Sequence, residues 1–185
     1  MRINAETHVI TESTLRSLHR ITASAGNAQS SIVTSASLAE SLTDQFIDLL
    51  IEETNVGTSR FGRRLLSKGA DSFHQSWDER NGWLSSGFGI EMAGAREGQR
   101  LKTVIAVRNA IIHGDGHFTT RQIKTVSSAI ALRKGVREVL DSEVHGRRII
   151  LSPSSGRMAI GVAREYVLAL DLAVTRNQVG NIGSR

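Results

Sequence analysis

The chain has 185 residues, 23 basic against 18 acidic, with a formal charge of +5, a pI near 10.4, one proline and no cysteine. That length suits one domain with a substantial core, the lack of cysteine excludes disulfides and thiolate zinc sites, and a reducing cytoplasm is the default compartment. No apolar run is long enough for a membrane span, Met1 to Glu6 lacks the basic-then-apolar order of a signal peptide, and the basic balance favours an anionic partner bound through phosphate contacts rather than through the scarce aromatics.

The lone proline, Pro153, permits long helices. Leu15, Leu18 and Ile21 predict a first helix over Glu12 to Ala23, and residues 1–30 as a whole read as an N-terminal extension with a serine- and alanine-rich connector. Leu38, Leu42, Phe46, Leu49 and Leu50 recur at helical spacing; Ser37 and Glu40 are placed for a capping box, and Asn55 and Gly57 for a stop. Helical pieces are expected over Arg60 to Lys68 and over Asp71 to Leu84, the second with Phe73, Trp77 and Leu84 on one side. Trp77, Arg80 and Trp83 read as a helix packing its aromatics into the core. Glycines at 87, 89, 94 and 98 break the chain, and the next helix begins between Ala95 and Gln99. A helix over Ile123 to Leu140 follows a Thr119-Thr120 cap and is weakened at Gly135. Val144 to Ser152 predicts a short β-hairpin or extended arm. A last helix over Ala159 to Arg176 carries Val162, Tyr166 and Leu170 on a core face and leaves Asn177 to Arg185 as a frayed tail. The fold class is therefore all-α, a helical bundle with a short β-hairpin before the last helix.

The most informative stretch is Val107 to Gly114. At about 100° per residue, Leu101, Val104, Ile105, Ile111 and Ile112 share one arc of a helix, and Arg108 sits near its middle. A guanidinium there meets a buried carboxylate, borders a protein interface or lines a cleft that binds an anion. The carboxylate candidates are Glu40, Asp44 and Asp48 on the Phe46 helix. Asn109 is one turn before His113, where its amide can orient the imidazole, and Gly114 and Gly116 end the helix there. Asp115 either holds the tautomer of His113 or caps the turn, the turn being favoured. Arg108 and His113 are about 140° apart around the helix, which favours a shared cleft over a self-contained pair.

The pattern Arg108-Asn109-x-x-x-His113 followed by Gly114-Asp115-Gly116 resembles the signature of HEPN domains, nucleotide-binding helical domains of many prokaryotic ribonuclease toxins and defence proteins. The likeness is strongest over Gln99 to Thr120. Weaker similarity reaches back to Ser37 to Glu53 and on to about Arg176. It implies a single HEPN-like domain over residues 1–185 and a metal-independent, cofactor-free endoribonuclease of toxin or phage-defence type. Arg108 and His113 would be catalytic, with Asn109 and Asp115 supporting, at a composite site in a homodimer. RNA would be cut to 2′,3′-cyclic phosphate and 5′-hydroxyl ends, and an antitoxin or neighbouring defence protein would be a partner. The alternative within the family is a catalytically inactive module that binds RNA, nucleotide or a protein in a regulatory role. A third reading is a structural dimerisation domain in which Arg108 is only an interface ion pair.

Basic residues also come in groups, Arg60, Arg63, Arg64 and Lys68; Arg96, Arg100 and Lys102; Arg133, Lys134 and Arg137. From these, Arg63, Arg64, Arg100 and Lys102 are the candidate RNA contacts, with solvated helix faces as the plain alternative. His113 and His117 lack a third ligand placed by any motif, so no metal site is expected. No phosphate-binding glycine loop, nucleophile elbow or paired-carboxylate motif occurs.

Overall fold

The computed structural model describes residues 7–23, 27–69 and 74–182. Their elements run α1 (Val9–Ala23), α2 (Ala28–Glu53), a 3₁₀ turn (Val56–Thr58), α3 (Arg60–Gly69), α4 (Trp77–Gly82), a π-turn (Trp83–Gly87), α5 (Arg96–Gly114), α6 (Val126–Leu140), β1 (Glu143–His145), β2 (Arg148–Ile150) and α7 (Ser155–Ile182). The all-α class with one hairpin before the final helix is the one expected. No helix among the described residues is long and apolar enough to cross a membrane.

The long helices α2 and α7 form the spine, and α5 packs against both. On α2 the buried positions Ile32, Ala36, Ala39, Leu42, Phe46, Ile47 and Leu50 recur every three or four residues, so one stripe faces inward. Ala159, Ala163, Tyr166, Val167, Leu170 and Val174 answer it from α7, and Leu101, Val104, Val107 and Ala110 from α5. Within the stretch read as an N-terminal extension, α1 lies against α2 and α7 with Leu18 fully buried. His8 and Thr11 tie its start to Asp171 of α7, the Thr11 hydroxyl donating at 2.6 Å and the His8 backbone N–H at 3.1 Å.

Several boundaries move from their sequence positions, each for a packing reason. Helix α2 starts at Ala28, capped by the Asn27 side chain, which accepts from the Gln29 N–H at 3.0 Å. From Ala28 on, the expected serine- and alanine-rich connector is thus helix, with Ser31, Ser35 and Ala36 small enough to be buried, while residues 24–26 lie outside the described residues. Ser37 and Glu40 consequently lie inside the helix and form no capping box. For the expected Asp71 to Leu84 helix, Asp71 to Phe73 lie outside the described residues, and Ser76 caps α4 by accepting from the Glu79 N–H.

Helix α6 begins at Val126 behind a Thr125–Ser128 capping box. Thr119 instead pairs with Gln122, whose amide reaches back to the Ala106 carbonyl at 2.8 Å. Gly135 leaves α6 unbroken: a Cβ there would meet Thr103 Oγ1 of α5 at 2.8 Å, so the glycine lets the two helices approach. Helix α7 continues past Arg176 to Ile182, since Val174 is buried, Asn177 donates to the Phe88 carbonyl and Gln178 to Glu53. Residues 183–185 of the expected frayed tail lie outside the described residues.

The hairpin fixes the end of α5. Glu143 pairs with Ile150, Val144 with Ile149 and His145 with Arg148 in antiparallel register. The segment after α5 adds to the open edge of β2: His117 bridges Arg148, the Phe118 N–H donates to the Arg147 carbonyl at 2.8 Å and the Ile149 N–H to the Gly116 carbonyl at 2.9 Å. Arg147 Nε closes the ring by donating to the Phe118 carbonyl at 2.7 Å. The turn that follows His113 is therefore held by backbone pairing rather than by its own side chains.

Candidate functional site

The site is built on a charged seam between α2, α4 and α5. Glu40 and Asp44 are one turn apart on α2 and point to the same side. Arg80 of α4, only 7% exposed, grips Asp44 with a two-pronged bond, Nε to Oδ1 at 2.7 Å and Nη2 to Oδ2 at 2.9 Å. Its Nη1 lies 3.7 Å from Glu40 Oε1. The other Glu40 oxygen, Oε2, takes Arg108 Nη2 of α5 at 2.9 Å. Two guanidinium groups thus share two carboxylates, which lets both arginines enter a low-dielectric seam.

Of the three acidic candidates, Glu40 is the partner of Arg108. Asp44 serves Arg80, and its Oδ2 also lies 3.2 Å from His74 Nδ1. Asp48, one turn further on, is exposed and meets neither arginine. Partial desolvation at the helix surface still raises its carboxyl above the usual range, with His74 opposing the shift and the charges of Asp44 and Glu52 adding to it.

Arg108 keeps a 23% exposed side chain. Its Nη1 donates to Asn109 Oδ1 at 2.7 Å, and its buried Nε has no partner among the described residues. Asn109 therefore steadies the arginine, where the sequence had suggested that it orients His113. The reason is local: the Asn109 amide oxygen lies within reach of its chain neighbour's guanidinium, which is a stronger donor than an imidazole N–H.

His113 lies in the last turn of α5, exposed and with no hydrogen bond or ion pair among the described residues. Beside it Ile112 is 49% exposed, so the apolar arc of Leu101, Val104 and Ile105 opens to solvent at this end. Asp115 makes the turn, with φ +48° and ψ +47°, and its backbone carbonyl lies 3.0 Å from His117 Nδ1. Its carboxylate makes no hydrogen bond to His113. No three His, Asp or Glu side chains converge as a metal site among the described residues.

The four basic residues expected to touch RNA do not form one patch. Arg100 is paired with Glu165 of α7, and Lys102 with Asp78 of α4 at 3.1 Å. Arg63 Nη1 donates to the carbonyls of Gly57 and Thr58, holding the turn before its own helix. Arg64 is exposed and has no side-chain partner among the described residues.

The sequence reads Arg80 only as part of a helix packing its aromatics into the core, and its place in the charged seam is new. Arg80 lies three residues after Trp77 and four before Leu84, both buried, so it shows the same anomaly that singled out Arg108. Below the seam, the Tyr166 hydroxyl lies 3.2 Å from Thr43 Oγ1 and its ring meets the edge of Trp77. Burial raises the Tyr166 pKa well above its ordinary value, against the weaker effects of Thr43 and Arg80. It is a neutral wall under the charged groups.

No family model, curated protein or solved structure matches the chain. The HEPN likeness rests on the motif residues and their helical setting.

Proposed function

We propose that the protein is a metal-independent endoribonuclease of the toxin or phage-defence kind, a HEPN-like enzyme acting on RNA in the cytoplasm as a homodimer. The observation that carries this reading is the contrast along one helix: Arg108 is held by Glu40 and Asn109, while His113, about one and a half turns later, is exposed with its ring uncommitted. In the reaction, the RNA 2′-oxygen loses its proton and bonds to phosphorus, and the bond from phosphorus to the 5′-oxygen breaks as that oxygen gains a proton. A 2′,3′-cyclic phosphate and a 5′-hydroxyl result. One His113 serves as base and the partner protomer's copy as acid, and Arg108 neutralises the non-bridging oxygens. The exposed Ile112 supports pairing at this end, as do Val126 and Ile130 on α6, which packs on α5.

Purified protein should cleave RNA in excess EDTA and leave cyclic phosphate ends. His113→Ala should lose at least about a hundredfold in rate while keeping its helical circular dichroism. Undiminished cleavage by that folded variant sinks the assignment.

One observation favours the alternative of a catalytically inactive HEPN module. Arg108 already spends Nη2 on Glu40 and Nη1 on Asn109, so a phosphate has to compete with Glu40 for the guanidinium. A protein that binds RNA or a nucleotide tightly but never cuts it, alone or with its neighbouring gene products, would be that module.

A further inference from the structure

The ten residues of α3 carry Arg60, Arg63, Arg64 and Lys68, and no acidic residue occurs between Glu53 and Asp71. The helix packs on the 3₁₀ turn that precedes it. Its inner side is well defined. A Cβ on Gly62 would collide with the Val56 carbonyl oxygen at 1.8 Å, the Gly62 N–H donates to Ser59 Oγ at 2.8 Å, and Leu66 lies against Gly57. Arg63 belongs to this side too, since its Nη1 binds the carbonyls of Gly57 and Thr58. At about 100° per residue, Gly62, Arg63 and Leu66 fall on one arc, and Arg60, Arg64 and Phe61 fall on the opposite one.

The outer face therefore presents two exposed guanidinium groups with no side-chain partner among the described residues, beside a phenyl ring that is 74% exposed. Solvating a cation is ordinary. A single exposed apolar side chain is ordinary too; what marks this face is that a largely exposed ring lies beside two unpartnered guanidinium groups, on a helix whose other side packs on the 3₁₀ turn.

We propose that the outer face of α3 is a single-stranded RNA contact, in which Arg60 and Arg64 take adjacent phosphates and Phe61 stacks on the base between them. It rests on the ribonucleic acid part of the function proposed above, and it replaces Arg63 by Arg60 and Phe61 as contact residues. Charge selects a polyanion, and the ring selects one with unstacked planar bases, since a duplex offers no free base face. A lipid surface fits less well. An interfacial helix needs a broad apolar face, whereas Phe61 is the only large exposed hydrophobic residue among the described side chains of α3.

The test uses the full-length chain as His113→Ala and a labelled 2′-O-methyl RNA oligonucleotide that cannot be cut, with affinity read by fluorescence anisotropy across a salt series. Phe61→Ala should weaken binding by about fivefold or more, the scale of one lost stacking contact. The double variant Arg60→Ala, Arg64→Ala should flatten the slope of log affinity against log salt by about 1.4, for two phosphates on a single strand. Arg63→Ala should leave that slope unchanged. A duplex of the same sequence should bind with no dependence on Phe61.

Unaltered affinity and slope in the Phe61 and Arg60/Arg64 variants overturn the proposal, even if cleavage in EDTA is present. So does sedimentation with phosphatidylserine vesicles that is lost in Phe61→Ala while RNA affinity is unmoved. Binding with the expected losses but no cleavage by the protein with His113 intact upholds the α3 contact and removes only the nuclease reading.

Discussion

Arg80 and Arg108 enter the same acidic seam on α2 from two different helices, and they enter it differently. Arg80 makes a forked bond to Asp44 with a 9% exposed side chain; Arg108 makes a single bond to Glu40 and keeps a 23% exposed side chain. A forked, buried pair is saturated and has little left for a ligand. A single-bonded arginine at the border of the seam can release one carboxylate oxygen and accept a phosphate oxygen in its place. The difference assigns Arg80 to holding α4 on α2, and leaves Arg108 where the phosphate of the proposed reaction would compete with Glu40.

Removing the saturated arginine should have the largest effect. Arg80→Ala takes the forked partner from Asp44, leaving it only His74, and leaves Glu40 to Arg108 alone, and should cost about 3 kcal/mol in a urea or thermal unfolding measurement. Arg108→Ala should cost less stability, because its partner Glu40 keeps Arg80 nearby and the site is partly open to water. Its cleavage rate, measured on the folded fraction, should nevertheless fall by roughly a hundredfold or more, as for a lost oxyanion donor. Arg108→Lys keeps the charge but not the planar fork, so it should recover stability better than rate. If Arg108→Ala instead loses as much stability as Arg80→Ala and no specific activity, the two arginines are equivalent and the dimerisation-domain reading gains.

The helical order, the hairpin and the end of α5 at Gly114 follow from apolar spacing and turn residues, signals that are local in the chain. Arg108 stood out because a charge interrupts an apolar arc within one helix. The identity of its partner did not, since Glu40, Asp44 and Asp48 repeat at one-turn spacing and only the approach of α5 and α4 decides among them. Serines misled twice: buried serines extended α2 backward, and Ser37 with Glu40 imitated a cap inside it. Charge grouping misled as well. Arg100, Lys102 and Arg63 look free in sequence, and each is engaged by an acceptor brought close by folding.

The open end of the motif helix can be probed by mixing chains. Wild-type and His113→Ala protein, co-refolded at equal concentration, should retain about half the activity per wild-type chain if both rings of a dimer are required, because half the wild-type chains then sit in mixed pairs. An excess of the variant should drive it lower. Full activity per wild-type chain at every ratio means that each protomer works alone and the composite site is wrong.

Asp48 is the carboxylate on the α2 ladder that neither arginine reaches, and burial, with Asp44 and Glu52 adjacent, raises its folded pKa above the unfolded value. Between those two values the folded state binds more protons than the unfolded state, so this group makes stability fall as pH rises through its folded pKa, opposite in sign to a paired carboxylate. Above that range the ionised Asp48 weighs on the fold only slightly, because its exposed carboxylate is screened by water. Asp48→Asn should therefore be slightly more stable than wild type at neutral pH, with the advantage fading as pH falls into the carboxylate range and both side chains become neutral. A destabilised Asp48→Asn at neutral pH would mean that Asp48 is paired after all and that the seam extends one turn further along α2.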